Sequence, residues 1–294
     1  MSAISMINIS GIFDQLDERL SRISDTPQLD AQVLLASVLQ KPRTWILAHP
    51  ETTLSAPQLA TVESAITQLE AGTPLPYVLG HWEFFGLDFD ITRDVLIPRP
   101  ETELLVERAI AWLQASLERR TVADVGTGCG AIGLSIAMNV KDARVTATDI
   151  SLPALKVAHQ NARKFDLATR VDFIQCDLLP PYSEFLSTDL YFDLICANLP
   201  YIPTRTLHGL QVYGREPEVA LDGGGDGLDL IRHLLSIAPQ WLAPGGRIML
   251  EIEASQGNKA LSLAYDSFSE AKIHLHKDLT GRDRLIEIQL PVIT

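Results

Sequence analysis

The sequence has few cysteines, and their spacing argues against two common ways of stabilising a fold. Cys129, Cys176 and Cys196 are an odd number, lie 47 and 20 positions apart, and form no C-x-x-C pair. Neither a disulfide framework nor a zinc site is indicated, and this cysteine usage favours a reducing cytoplasm. A chain of 294 residues needs neither device, because folding can bury about three quarters of the surface that the unfolded chain exposes.

The sequence also lacks the features of membrane and exported proteins. No stretch approaches the roughly 18 uninterrupted apolar residues that a membrane-spanning helix requires, which excludes an integral membrane protein. The segment Met1–Gln15 has no basic flank before an apolar core and reaches Asp14 early, so it does not match a signal peptide. We therefore expect a cytoplasmic protein.

Positive charge is scarce, which bears on the class of partner. The chain has 24 Lys and Arg against 37 Asp and Glu, a formal net charge of -13, and a pI of about 4.9. Proteins that bind phosphate backbones carry the opposite balance, so nucleic acid is disfavoured as the main partner. The H-E-x-x-H and G-x-S-x-G motifs are also missing, so the metalloprotease and serine-hydrolase classes lack support.

The hydrophobic pattern divides the chain into three parts. From Ile9 to about Gly72 apolar residues recur at helical spacing, and Ser55 with Gln58 resembles a capping box that opens a helix ending at Gly72. Beyond it, Pro74 and Pro76 interrupt the helical pattern, and two short aromatic-rich runs suit a hairpin. We expect a helical domain over residues 1–73, a linker with a β-hairpin over 74–97, and a second domain over 98–294.

The second domain shows the alternation typical of an α/β fold. Short apolar runs alternate with helical patterns, which predicts a mostly parallel sheet with helices on both faces. A further pair of runs near the end of the chain flanks a turn and predicts an antiparallel pair at one edge of the sheet. The predicted parallel strands are 121–125, 144–149, 171–176, 192–197 and 247–252, and the antiparallel pair is 272–277 and 284–290.

A glycine-rich loop follows the first predicted strand of this sheet. Glycines there let the backbone turn sharply and approach a ligand closely. The pattern D-x-G-x-G-x-G differs from the dinucleotide fingerprint G-x-G-x-x-G and resembles motif I of class I S-adenosylmethionine-dependent methyltransferases. That resemblance implies contact with S-adenosylmethionine. The motif comprises Asp124, Gly126, Thr127, Gly128, Cys129 and Gly130.

Acidic residues end the next two predicted strands. Asp149 lies 25 positions after Asp124, a spacing that suits a carboxylate accepting hydrogen bonds from both ribose hydroxyls of the cofactor. A helix cap is the alternative role, for which Ser151 is also well placed. Asp177 occupies the position that in class I methyltransferases commonly faces the adenine amino group, and Leu178 follows where relatives often carry an aromatic residue.

The fourth predicted strand ends in Asn198-Leu199-Pro200-Tyr201. This tetrad resembles the [N/D]-[P/L]-P-[Y/F/W] motif of methyltransferases that act on a planar nitrogen, in adenine, cytosine or a glutamine amide. Such a nitrogen is a poor nucleophile because its lone pair is delocalised. The Asn198 side-chain oxygen and the Leu199 carbonyl would each accept one N–H and orient the nitrogen. Tyr201 would offer an aromatic face, and Pro200 would fix the backbone.

Over almost its whole length the sequence resembles the PrmC/HemK family, the glutamine N(5)-methyltransferases of peptide-chain release factors. The resemblance implies five N-terminal helices that recognise the substrate and a Rossmann-like, seven-stranded catalytic domain. It also implies that residues 198–201 bind the substrate, the glutamine of the Gly-Gly-Gln loop of class I release factors, and that Asn198 contacts the cofactor as well. We expect a monomer without a metal. Besides the glycine loop and the tetrad, the matching segments are 76–80, 97–103, 216–224, 244–246 and 279–284.

Two alternative functions stay open on the sequence alone. Leu199 gives the tetrad N-L-P-Y, which ribosomal RNA adenine dimethyltransferases share, so N6-methylation of adenine in RNA or DNA is the enzymatic alternative. The acidic composition argues against it. The second alternative is an inactive methyltransferase fold that serves as a binding module, because one fold hosts many functions.

Overall fold

The computed structural model describes residues 7–116, 118–180 and 191–292. The first six residues, which form part of the segment tested for a signal peptide, lie outside this range. Two compact units make up the chain, Met1–His81 and Trp82–Thr294.

The first unit is helical, as the sequence predicts. Its helices are α1 (Ile9–Leu20), α2 (Pro27–Leu39), α3 (Arg43–Ala48), α4 (Ala56–Glu70) and α5 (Leu75–Leu79). The predicted capping box opens α4, where the Gln58 side-chain oxygen accepts the Ser55 backbone N–H at 2.9 Å. The apolar faces of these helices pack on one another and bury residues such as Leu16, Leu35 and Ile66.

Helix α5 lies where the sequence suggests the beginning of the linker. The preceding helix ends at Glu70, before either proline, and Pro76 occupies the first turn of α5, where the N–H that proline lacks would have no partner within the helix. Helix α5 packs against α2 and α4. Residues 75–79 therefore belong to the helical unit, and the boundary falls after His81 rather than after residue 73.

The predicted hairpin follows as β1 (His81–Phe84) and β2 (Leu87–Asp90). Phe85 and Gly86 connect the strands with φ angles of 52° and 72°, the left-handed pair that a tight two-residue hairpin turn requires. Asn161 fixes β2 within the second unit, because its side-chain oxygen accepts the Asp90 N–H at 2.7 Å and its Nδ2 donates to the Asp90 carbonyl at 3.0 Å.

A seven-stranded sheet forms the centre of the second unit and confirms the predicted α/β class. The strand order is β5-β4-β3-β6-β7-β9-β8, with β9 antiparallel to both neighbours. One strand differs from prediction by more than one residue at an end: it begins at Leu242 instead of Arg247, because a register shift opposite Phe192 and Leu194 accommodates the Pro-Gly-Gly segment. The strands are β3 (Thr121–Val125), β4 (Arg144–Asp149), β5 (Val171–Gln175), β6 (Phe192–Ala197), β7 (Leu242–Glu251), β8 (Lys272–Lys277) and β9 (Asp283–Gln289).

Helices connect these strands, and the strand order places a crevice for a ligand. From β3 the chain runs outward through β4 and β5 and then returns to the other side of β3 as β6. Ligands of open α/β sheets bind at such a reversal, beyond the carboxyl ends of the strands. In the part of the chain that the structure describes, no helix is long and apolar enough to cross a membrane. The helices are α6 (Glu103–Gln114), α7 (Ala131–Asn139), α8 (Leu152–Lys164), α9 (Thr204–Leu207), α10 (Asp229–Ile237) and α11 (Gly257–Ser267).

Candidate active site

The carboxyl ends of β3, β4 and β6 border a cavity of about 300 Å³, at the lower end of the range of small-molecule sites. Most residues singled out in the sequence line it, although they come from four separate segments. Three do not, Asp124, Gly130 and Tyr201. The lining residues among those predicted are Gly126, Thr127, Gly128, Cys129, Asp149, Asp177, Leu178, Asn198, Leu199 and Pro200.

The glycine loop turns over the end of β3. The backbone N–H groups of Gly126 and Thr127 both donate to the Thr148 carbonyl at 2.9 Å, which ties the loop to β4. Gly128 has a φ of 57°, and no protein atom lies within 4 Å of the position that a Cβ there would take. The space beside Gly128 is thus free for a ligand, which fits a loop that bends around a bound cofactor.

The acid of the motif lies beneath the loop and outside the cavity lining. Asp124 is fully buried, and its Oδ2 accepts the Thr127 hydroxyl at 2.6 Å and the Gly133 N–H at 2.9 Å. Burial raises the pKa of this carboxyl to about 6. Gly130 begins α7, and a Cβ there would lie 2.7 Å from the Leu134 side chain. Asp124 and Gly130 therefore hold the loop in shape.

Asp149 connects the loop to the start of α8. Its Oδ2 accepts the Gly128 N–H and its Oδ1 the Ser151 N–H, both at 2.9 Å. Burial raises the pKa of Asp149. The Ser151 hydroxyl caps α8 by accepting the Ala154 N–H at 3.2 Å, so the cap does not depend on Asp149. Each carboxylate oxygen keeps a lone pair for a further donor, as a ribose clamp requires.

Three other lining residues have distinct environments. Leu178 is buried against the cavity with a φ of 59°, and its carbonyl accepts the Thr148 hydroxyl at 2.6 Å. Asp177, before it, is exposed. Cys129 is buried, and burial raises the pKa of its thiol to about 12. Its thiol is therefore neutral at physiological pH and no candidate for a nucleophile.

The tetrad continues β6 into the cavity wall. The Asn198 Nδ2 donates to the Thr102 hydroxyl at 3.0 Å, which leaves the Asn198 Oδ1 as the acceptor for another group. Tyr201 lines a smaller cavity of about 110 Å³, which shares Arg99, Asn198 and Pro200 with the larger one. Burial raises the pKa of Tyr201 to about 12, so its phenol is neutral.

Several residues that support the tetrad have no assigned role in the sequence-based prediction. A Cβ at Gly223 would lie 2.7 Å from the Pro200 carbonyl oxygen and 2.8 Å from the Tyr201 Cα, so only glycine fits there. Gln256 donates to the Tyr201 carbonyl at 2.9 Å. The glycine run that contains Gly223 has the composition of a low-complexity patch, and only its contact with the tetrad reveals its role.

A partly buried ion pair holds the segment before α6 against the loop that precedes the glycine run. Glu216 accepts the Ile97 N–H at 3.1 Å through Oε2 and pairs with the Arg99 guanidinium through Oε1. The matching segments 97–103 and 216–224 are the sequence signal for this contact, but no pattern in either segment predicts the pairing. Arg99 and Thr102 both line the larger cavity.

Comparisons with known proteins agree with this geometry. The family model described as "PrmC N-terminal domain" matches residues 12–80, and the family model described as "Methyltransferase small domain" matches residues 101–208. A release factor glutamine methyltransferase from Moorella thermoacetica is 45% identical over 261 residues, 88% of this chain and 90% of the relative. One from Coxiella burnetii is 36% identical over 288 residues, 96% of this chain and 98% of the relative.

Among solved structures, a SAM-dependent methyltransferase from Agrobacterium tumefaciens superposes with a TM-score of 0.50 at 15% identity. The match covers 72% of this chain and 70% of that one. Sheet order and ligand crevice together define the fold of the S-adenosylmethionine-dependent methyltransferases. Given its identity to the curated relatives over nearly its full length, the chain belongs to the release factor glutamine methyltransferase family, which confirms the resemblance seen in the sequence.

Proposed function

We propose that this protein transfers a methyl group from S-adenosylmethionine to the side-chain amide N5 of the glutamine in the Gly-Gly-Gln loop of class I release factors. One structural observation supports the proposal independently of family membership. At the cavity wall, Asn198 has its Nδ2 committed to Thr102, so its Oδ1 is available to accept an N–H from a planar amide.

The cavity fits the cofactor on three counts. The space beside Gly128 is free, Asp149 retains acceptor capacity, and Leu178 supplies an apolar wall next to the exposed carboxylate of Asp177. When bound, the cofactor supplies an electrophilic methyl group on a sulfonium. We assign Gly126 to Gly130, Asp149, Asp177, Leu178 and Asn198 to holding it, with Gly130 acting through the loop backbone.

The tetrad residues then prepare the substrate nitrogen. The Asn198 Oδ1 and the Leu199 carbonyl each accept one N–H of the glutamine amide, which fixes the plane of the amide and favours the positive charge that develops on nitrogen. Pro200 limits backbone freedom beside them, and Tyr201 presents its ring to the planar group. No general base is needed before transfer, because the methylated nitrogen loses its proton readily.

We extend the proposal to the organisation of the chain. The helical residues up to His81 would recognise the release factor, residues 82–97 would link, and residues 98–294 would carry out the transfer as a monomer. Because the protein is acidic, with a net charge of -13, shape and apolar contact would have to supply the recognition of an acidic partner. The free thiols of Cys129, Cys176 and Cys196 suit a reducing compartment such as the cytoplasm.

The test is methyl transfer from labelled S-adenosylmethionine to purified release factor. A release factor whose Gly-Gly-Gln glutamine is replaced by alanine, and bulk ribosomal RNA, serve as parallel acceptors. Label on the unchanged release factor alone is the expected result. Label on RNA alone would show that the N-L-P-Y tetrad marks an adenine methyltransferase. Bound cofactor with no label on any acceptor would favour an inactive binding module.

A further inference from the structure

Glu251 is a buried carboxyl group close to the tetrad that the proposed mechanism does not use. It is the last residue of β7 and is 2% exposed. Ala197 of β6 pairs with Leu250 of β7, so Asn198 and Glu251 are the next residues along two neighbouring strands. Among the residues that the structure describes, neither carboxylate oxygen of Glu251 has a hydrogen-bond partner of good geometry.

Thr102 lies between these two side chains. It ends the short 3-10 turn Pro100–Thr102, is 4% exposed, and accepts a hydrogen bond from the Asn198 Nδ2 at 3.0 Å. Its hydroxyl also acts on Glu251 and lowers the pKa of that carboxyl. A hydroxyl has one proton to donate, so the direction in which Thr102 donates decides what it can accept from Asn198.

We propose that Glu251 is a positioning residue, which acts through Thr102 to fix the orientation of the Asn198 amide. An ionised carboxylate can only accept hydrogen bonds, so the Thr102 hydroxyl turns its O–H toward Glu251 and donates to it. Thr102 must then accept from Asn198, and only the Nδ2 of Asn198 can donate. The Asn198 Oδ1 is thereby directed to the substrate amide. This inference rests on the proposed function, because it assigns Asn198 the role of substrate acceptor.

A purely structural role explains Glu251 less well. An unpaired buried carboxylate costs free energy, and an apolar residue of similar size would fill the same space without that cost. The pKa of Glu251 lies close to neutral pH. Burial raises its pKa to about 7, with Glu101 acting in the same direction and Thr102, Arg284 and Arg99 opposing. The titratable and charged groups that face it are Arg99, Glu101, Tyr201 and Arg284.

The relay predicts a specific pH dependence. When Glu251 is protonated it can donate to Thr102, and Thr102 can then donate to Asn198 and favour the flipped amide. At saturating cofactor and release factor, kcat should therefore fall as the pH drops below about 7. In Glu251→Gln the side-chain amide can donate to Thr102, as the protonated carboxyl can, and it does not titrate. This variant should therefore show at pH 8 the lowered kcat that the wild type shows at low pH, with no further fall in kcat as the pH drops.

Variants that break the relay complete the test. Without the relay the Asn198 amide is no longer held in one orientation, so Thr102→Val and Glu251→Met should each lower kcat about tenfold or more. The Kd for S-adenosylmethionine should stay unchanged in both variants. Thr102→Ser, which keeps the hydroxyl, should restore kcat. Thr146→Val, a buried threonine of β4, controls for the loss of a hydroxyl elsewhere.

The outcomes separate this inference from the proposed function. If the wild-type protein does not methylate release factor, the proposed function fails. If it does, the relay is overturned by a Thr102→Val protein with wild-type kcat, or by a Glu251→Gln protein that keeps the wild-type fall in kcat. Thermal unfolding of each variant shows whether a lost rate is a folding defect. Should Thr102→Val be unfolded, the Glu251→Gln profile and the Thr102→Ser rate still decide.

Discussion

At the scale of single residues, the account depends on which atoms are already bonded and which remain available. Asn198 has its Nδ2 bonded to Thr102, whereas Asp149 uses one lone pair of each oxygen on the loop backbone. The first arrangement offers an acceptor to a substrate nitrogen, and the second offers acceptors to hydroxyls. Substitution at the two positions should therefore affect different kinetic constants.

Replacing Asn198 by alanine should abolish most of the methyl transfer and leave cofactor affinity largely intact, because the glycine loop and Asp149 supply most of the proposed cofactor contacts. The loss of a positioned acceptor costs a factor of about 100 or more in kcat, as at other sites where one preorganised group is removed. Transfer to release factor and calorimetric titration with S-adenosylmethionine provide the two readouts. Asn139→Ala, at the exposed end of α7, is the matched control. Near wild-type kcat in Asn198→Ala would remove the tetrad from the mechanism.

Replacing Asp149 by alanine should weaken the cofactor complex. The change removes the acceptors proposed for the ribose hydroxyls and also the anchor of Gly128, so the Kd for S-adenosylmethionine should rise about tenfold or more. Asp172→Ala, an exposed residue of β5, controls for loss of charge. An effect confined to kcat at saturating cofactor, with unchanged Kd, would contradict the ribose clamp.

At the scale of elements, the sequence predicts the strands well and the supports of the site poorly. Period-two and period-3.6 patterns are local, so the strands of the sheet and helix α4 follow from a few neighbouring residues. Thr102 reaches Asn198 across 96 positions, and such a contact has no local signature. The pattern does not reveal the short helix α5, because proline usually interrupts a helix, whereas Pro76 lies in a first turn, where proline is favourable.

The contact between the glycine run and the tetrad gives a prediction at this scale. Gly223→Ala should lower the free energy of unfolding by about 1–3 kcal/mol and reduce kcat. Its Cβ would meet the backbone of Pro200 and Tyr201, which cannot move without shifting the site. At Gly225 the nearest atom to an added Cβ is 4.0 Å away, so Gly225→Ala should behave as wild type. Equal unfolding temperatures and rates for the two variants would contradict this packing.

At the scale of the whole molecule, the sequence predicts the class and the sign of the charge, but not the protonation of buried acids. The pKa of Asp124 is raised to about 6 and that of Glu251 to about 7, in both cases chiefly by burial. At a pH between the ordinary carboxyl pKa values and these raised values, the folded protein binds more protons than the unfolded chain. The free energy of unfolding should therefore decrease as the pH rises from about 4 to about 7, because both carboxyls then ionise in buried sites.

The variant Glu251→Gln should reveal this loss of stability with rising pH in thermal or denaturant unfolding. Since the amide does not titrate, the variant should gain stability over the wild type with rising pH, by up to about 3 kcal/mol at pH 8. The two proteins should differ little near pH 4, where the carboxyl is neutral in both the folded and the unfolded state. A stability difference that is the same at pH 5 and pH 8 would show that Glu251 does not titrate in this range.

In the proposed reaction the methyl group reaches one amide nitrogen of one glutamine. Tandem mass spectrometry of release factor after incubation with this protein and S-adenosylmethionine can locate it. We expect a single added methyl on the peptide that contains Gly-Gly-Gln, located on the side chain of its glutamine, and little or none when Asn198→Ala replaces the wild-type protein. A methyl group on any other residue, or an unmodified release factor beside methylated adenine in RNA, would contradict it.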